Sequence, residues 1–174
     1  MTFIMGALGT WMSSNRLRLN SAKTQFIWLG TRQQLARLDM AALSAAFPLL
    51  TSSSAVRDLG VTLDCELTFS THINLLSRDC FYQLRQLLTV TPSLTASATA
   101  TLVHAFVANR LDYCSSLYAG LPACRLGCLD QVLRSAARLI GGIPKVGHVS
   151  KYMLDILRWF PAEQRISYRI ASMV

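Results

Sequence analysis

A chain of 174 residues, 52% hydrophobic and only 15% charged, fits one domain, or a small domain with part of another, and is expected to expose apolar surface that a larger protein or a partner covers. Lys and Arg number 17 against 9 Asp and Glu, for a net charge of +8, and only Lys23, Lys145 and Lys151 are lysines, so the excess is mostly Arg and fits a polyanion partner. No secretory leader is expected, because no basic residue precedes Arg16, and no membrane span, because the longest uncharged run, Gln86 to Asn109, is broken by Pro92 and filled with Ser and Thr.

Residues from about Thr2 to Ser14 are predicted helical, ending near Asn15. Gln25 to Gly30 is a short apolar run closed by glycine, which reads as a strand buried on both faces. Gln33 to Ala46, rich in Ala and Leu and stopped by Pro48, reads as a helix, and Thr51 to Ser54 as a loop. Val56 to Asp64 reads as one further strand, in which Gly60 marks a bulge or a close backbone approach. Beyond Asp64 only helices are predicted. Ile73, Leu76, Cys80, Leu84 and Leu87 form one face of the first, with Ser70 as its cap. Thr91-Pro92-Ser93 breaks that helix; Ser93 caps the next, whose face is Leu94, Ala98, Leu102, Ala105 and Phe106. A third starts after Gly120-Leu121-Pro122, buries Leu129, Val132, Leu133, Ala136 and Ile140, and ends at Gly141-Gly142 with a left-handed cap. Short helices follow from Ser150 to about Arg158 and after Pro161. The chain thus divides near residue 66, into a part with too few strands for an independent sheet and a helical bundle.

The five cysteines, Cys65, Cys80, Cys114, Cys124 and Cys128, read as reduced thiols of an intracellular protein, several of them small core residues. Cys124 and Cys128 with His104 or His148 lack the ligand pairs of a structural zinc site. His104, in an apolar helix, reads as a packed core histidine. No Walker loop, Gly-x-Ser-x-Gly elbow or His-Glu-x-x-His motif is present.

Five blocks stand in order along the chain: Asn20-x-x-Lys23-Thr24 before an apolar run; Leu59-Gly60-Val61-Thr62-Leu63-Asp64; Asn109-Arg110-Leu111-Asp112-Tyr113-Cys114; Ala136-Ala137-Arg138-Leu139; and Leu157-Arg158-Trp159-Phe160-Pro161 running to Arg165-Ile166. Together they resemble the segment of non-LTR retrotransposon (LINE) reverse transcriptases that follows the catalytic centre, closest to the chicken-repeat-like and jockey-like branches. The resemblance implies an α+β fold: residues 1–66 an incomplete palm of two strands with helices, and 67–174 a mainly α-helical thumb bundle. It implies that Leu59 and Gly60 belong to the segment gripping the primer end, and that Arg110, Arg134 and Arg138 face a nucleic-acid backbone from the thumb, the alternative being that they are solvated helical arginines. Lys23 lies near the departing pyrophosphate in a complete enzyme and is otherwise a turn lysine. The implied partners are an RNA/DNA template–primer duplex and the fingers and palm of the parent polymerase, with no membrane involved; the implied compartment is nuclear or cytoplasmic.

The catalytic step of that family needs clustered carboxylates for two metal ions. Here Asp39, Asp58, Asp64, Glu66, Asp79, Asp112, Asp130, Asp155 and Glu163 include no adjacent pair, and the family's catalytic Asp pair corresponds to positions before Met1. The acids read as solvated or locally paired. The expectation is a polymerase fragment, inactive by itself, with no catalytic residue and no cofactor of its own, Mg²⁺ belonging to the complete enzyme. The alternatives are a helical protein-interaction module reused by a host and a translated relic without function.

Overall fold

The computed structural model describes residues 2–18, 20, 24–39, 41–42 and 53–173, the side chains of 2–5 excepted. It is a mixed α+β structure, mostly helical, with one two-stranded antiparallel sheet among the described residues. The chain forms two units: Met1–Val56 with Asp64–Glu66, and Arg57–Leu63 with Leu67–Val174. Among the described residues no helix is long and apolar enough to cross a membrane.

In the first unit, α1 (Thr2–Ser14) ends as the sequence predicts. Arg16 takes a left-handed φ of 57°. The amides of Arg16 and Leu17 turn back to the carbonyls of Ser13 and Met12, at 3.1 and 2.8 Å, the paired bonds of a Schellman ending. The strand expected over Gln25 to Gly30 is not formed. Its contacts are single bonds, Ser53 amide to Phe26 carbonyl at 2.9 Å and Gly30 amide to Cys65 carbonyl at 3.0 Å. Phe26 makes only an isolated bridge, too short to count as a strand. The helix expected from Gln33 to Ala46 begins instead as one turn, α2 (Arg32–Leu35), closed by a capping box in which Thr31 and Gln34 bond reciprocally. Asp39 Oδ1 then accepts from the amides of Ala41 and Ala42, which restarts helical structure; residues 43–52 lie outside the described residues.

The single strand expected over Val56 to Asp64 is a hairpin, β1 (Ala55–Asp58) and β2 (Val61–Asp64). Leu59 and Gly60 both have positive φ, 44° and 86°, as a type I′ hairpin turn requires. Gly60 is thus a turn glycine and not a bulge. Leu59 in the first turn position, where Asn or Asp is usual, hides the turn in the sequence and holds a strained backbone. The hairpin tip belongs with the helices because Val61 is buried in their core.

The second unit is built around α3 (Ser70–Val90) and α6 (Ala123–Gly141), whose facing stripes pack together. Ile73, Cys80, Leu84 and Leu87 are buried as their spacing predicts, with Leu76 half-buried. Ser70 is the first helical residue and not the cap; Phe69, with φ of 53°, takes the cap position and buries its ring edge-on against Tyr118 at 5.8 Å. Likewise Ser93 falls in a 3₁₀ turn (Thr91–Ser93), and Thr95 caps α4 (Ala96–Val103) by accepting from the Ala98 amide at 3.2 Å. Helix α4 continues through a π-helical stretch (His104–Ala108) into α5 (Asn109–Asp112).

That π stretch changes the buried face. The core takes Thr99, Val103, Val107, Ala108 and Leu111, while Ala105 and Phe106 face solvent. Thr99, Val103, Val107 and Leu111 are four apart, which overshoots an α-helical turn by about 40° per step; the wider i→i+5 turn takes up the overshoot. His104 is exposed and not a core histidine, standing edge-on to Trp159 at 5.1 Å. Helix α6 buries Leu129, Val132, Leu133 and Ala136 as expected, with Ile140 half-buried, and ends at Gly142 with φ of 61°. Helices α7 (Ser150–Asp155) and α8 (Ala162–Ala171) close the unit, and Asp130 on α6 accepts from the Ala162 amide at 2.8 Å to start α8.

Candidate nucleic-acid interface

The helical unit holds twelve Lys and Arg against six Asp and Glu, so it carries most of the net charge of +8. Several of its acids are used inside the structure. Asp112 takes a two-point bond from Arg165, Nε to Oδ1 at 3.0 Å and Nη2 to Oδ2 at 2.6 Å, with Arg169 at 3.8 Å. Arg165 also lies 5.9 Å from the centroid of the buried Trp159 ring. Asp130 caps α8, as above. Asp79 stands 3.8 Å from Arg78 in an exposed contact of little worth. Among the described residues, no ion pair engages Arg57, Arg85, Arg110, Arg138 or Lys145.

These free cations border two open grooves. The first, the hairpin groove, has a volume of about 760 Å³ and lies where the hairpin tip meets α3 and α5. Arg57, Arg78 and Arg110 line it, with Gly60, His72 and Tyr113. Tyr113 fixes this junction: its hydroxyl donates to the Leu59 carbonyl at 2.7 Å, a bond between residues 54 positions apart. The strained turn is therefore held from outside, and Leu59 stands 81% exposed at its tip. A side chain at Gly60 would meet only ordinary contact with Tyr113 at 3.9 Å, so it is the positive φ that demands glycine there.

His72 pins the second strand, since Thr62 N–H donates to its Nδ1 at 3.2 Å. That bond needs the neutral ring. Burial first, and the nearby Arg57 guanidinium second, hold the His72 pKa below its ordinary value of 6.5. The unfolded chain therefore binds more protons than the folded one as pH falls below 6.5, and stability is lost toward acid. Thermal unfolding followed between pH 7.5 and about 5 is expected to show a falling midpoint. His72→Asn, which keeps an acceptor for Thr62 but does not titrate, is expected to flatten that slope.

The second, the helix groove, is larger, about 950 Å³, and runs between α3 and α6 to the loop after Gly142. Phe81, Leu84, Leu88, Leu139 and Ile143 form an apolar floor, and Arg78, Arg85, Arg138 and Lys145 border it. Arg138 is half-buried; its Nη2 reaches the Gly147 carbonyl at 3.5 Å, and its buried Nε has no hydrogen-bond partner in the structure.

The structure thus puts Gly60 and Arg110 at one groove, with Leu59 bonded to Tyr113 of its wall, and Arg138 at another, with Arg78 common to both. Lys23 lies outside the described residues. Arg134 is exposed on α6 and lines neither groove. Sequence reasoning missed Arg57, Arg78, Arg85, Tyr113 and Lys145. A signal existed for two of them: Arg78 and Arg85 are seven apart on α3 and so share a face.

No family model matches the chain, and no curated protein or solved structure is significantly similar to it.

The site is read from its own chemistry. Among the described residues, no three His, Cys, Asp or Glu side chains come together as a metal-holding group. Cys80 and Tyr118 are buried, and burial pushes their pKa values up to about 11 and about 12, so neither is a reactive anion near neutral pH. Cys124 is exposed and Cys128 half-buried. Arg57 and Arg110 are held in no ion pair among the described residues, and guanidinium groups of this kind suit phosphates.

Proposed function

We propose that this chain is a reverse-transcriptase-derived palm and thumb segment of non-LTR retrotransposon type, whose hairpin groove clasps an RNA/DNA template–primer duplex through its backbone. The observation that carries this reading is the Tyr113–Leu59 bond. It joins two sequence blocks that resemble the family's primer-gripping and thumb segments, beside a groove lined by Arg57 and Arg110, neither of them in an ion pair among the described residues, and by one acid, Asp79. Contacts of this kind read phosphates and not base edges, so binding is expected to be indifferent to sequence. Without a carboxylate pair the chain is not a polymerase by itself.

Two measurements on the purified chain test the reading. Gel shift with an RNA–DNA hybrid is expected to show binding unaltered by changing the hybrid's sequence. Primer extension with Mg²⁺ and deoxynucleotides is expected to give no product. Failure to bind any hybrid overturns the duplex role, and robust extension overturns the inactivity. A second reading, a protein-interaction module, is favoured by the apolar floor of the helix groove, which the duplex does not use.

A further inference from the structure

The two grooves share Arg78 but differ in chemistry. The hairpin groove is lined mostly by polar and charged side chains, the acidic Asp79 among them, with Leu75 and Leu76. The helix groove has a continuous apolar floor in which Leu88 is 60% exposed and Phe81 and Leu139 are half-buried. An exposed apolar strip bordered by cations, with no acidic residue in its lining, is costly to leave in water and equally unsuited to phosphates, which lose hydration over leucine. Unpaired bases need aromatic faces to stack on, and Phe81 is the one aromatic residue lining the groove. An α-helix with leucines at i, i+3, i+4 and i+7 fits such a floor, and carboxylates flanking that stripe meet the cations of the rim. The size agrees. A helix about 10 Å wide rises 5.4 Å per turn, so a volume of about 950 Å³ takes roughly two turns.

We propose that the groove between α3 and α6 docks a short acidic amphipathic helix from another protein. Phe81, Leu88 and Leu139 bury its apolar stripe, and Arg85, Arg138 and Lys145 face its carboxylates. The site is independent of the duplex reading, because its floor and the Arg85 and Lys145 edge lie outside the hairpin groove.

The test uses the full chain and three labelled probes followed by fluorescence polarisation. One is a Leu/Glu peptide of about 15 residues with leucine at helical spacing; the second has the same composition in scrambled order; the third is oligothymidylate. The ordered peptide is expected to bind with micromolar affinity and at least about tenfold more tightly than the scrambled one. Leu88→Glu is expected to weaken it at least about tenfold, and so is Arg85→Glu combined with Lys145→Glu, while Arg110→Glu leaves it unchanged. These side chains are exposed, and an unchanged far-UV spectrum checks that each variant folds; if Leu88→Glu does not, the Arg85/Lys145 variant decides. Equal binding of ordered and scrambled peptides overturns the proposal, as does ordered-peptide binding that neither variant disturbs. Oligothymidylate binding that Leu88→Glu abolishes overturns it too, and reassigns the groove to single strands.

Discussion

Replacing Leu133 with alanine is expected to cost about 3 kcal/mol of folding stability, in the range for buried Leu→Ala changes. Leu133 is 1% exposed on α6, the helix that packs against α3, α4, α7 and α8. The void among Leu111, Tyr118, Leu129, Leu133 and Ile166 is only about 10 Å³, so the lining is already close to full density. With helices on several sides, the wall cannot collapse into the space left by the missing methyls, and the cavity term adds to the lost burial. Set against a total stability of roughly 5–15 kcal/mol, this is a large fraction, and the thermal midpoint is expected to fall by on the order of 10 °C. Leu154→Ala, at a site 44% exposed, is expected to cost less than about 1 kcal/mol. Circular dichroism on both variants checks the difference; equal small shifts would mean that α6 is not the central helix of the unit.

The second large effect concerns binding. Arg57→Glu combined with Arg110→Glu is expected to weaken binding to an RNA–DNA hybrid by on the order of a hundredfold, about tenfold for each reversal. Both guanidinium groups line the hairpin groove, and neither is held in an ion pair among the described residues. Each reversal removes a phosphate contact and sets a repelling charge in its place. Because both residues are exposed and not ion-paired among the described residues, folding stability is expected to stay within about 0.5 kcal/mol of the parent. That separates a binding defect from a folding one. Arg134→Glu is the matched control, since Arg134 is exposed on α6 but lines neither groove.

How far the sequence exposed this structure varies with the element. The face of α3 is legible because polar residues such as Asn74, Arg78 and Asp79 separate its apolar positions, leaving one periodic stripe. The end of α6 is legible because Gly141-Gly142 offers a residue free to take positive φ. Helix α4 is not. From Ala98 to Ala108 every residue but His104 is small or apolar, so two faces one residue apart fit equally well, and the π stretch decides between them. The hairpin stayed hidden because Leu59 occupies a turn position where Asn, Asp or Gly is the usual signal. Its strain is carried by Tyr113, and no local pattern announces a bond to a residue 54 positions away. The same holds for Arg165, whose partner Asp112 takes it out of the pool of arginines open to a ligand. Arg110, three residues before Tyr113, has the same charge and hydropathy as Arg165 but lines the groove and is in no ion pair among the described residues.

The most direct measurement is the salt dependence of hybrid binding by the unaltered chain. Three arginines at the hairpin groove, each displacing a counterion from a phosphate, predict a slope of log K against log salt of roughly −2 to −3. Between 50 and 200 mM salt the affinity is then expected to fall about 40-fold, and Arg57→Glu with Arg110→Glu to bring the slope close to about −1. Binding that does not change with salt, or a slope that the double variant leaves untouched, would contradict a duplex-clasping role for the hairpin groove.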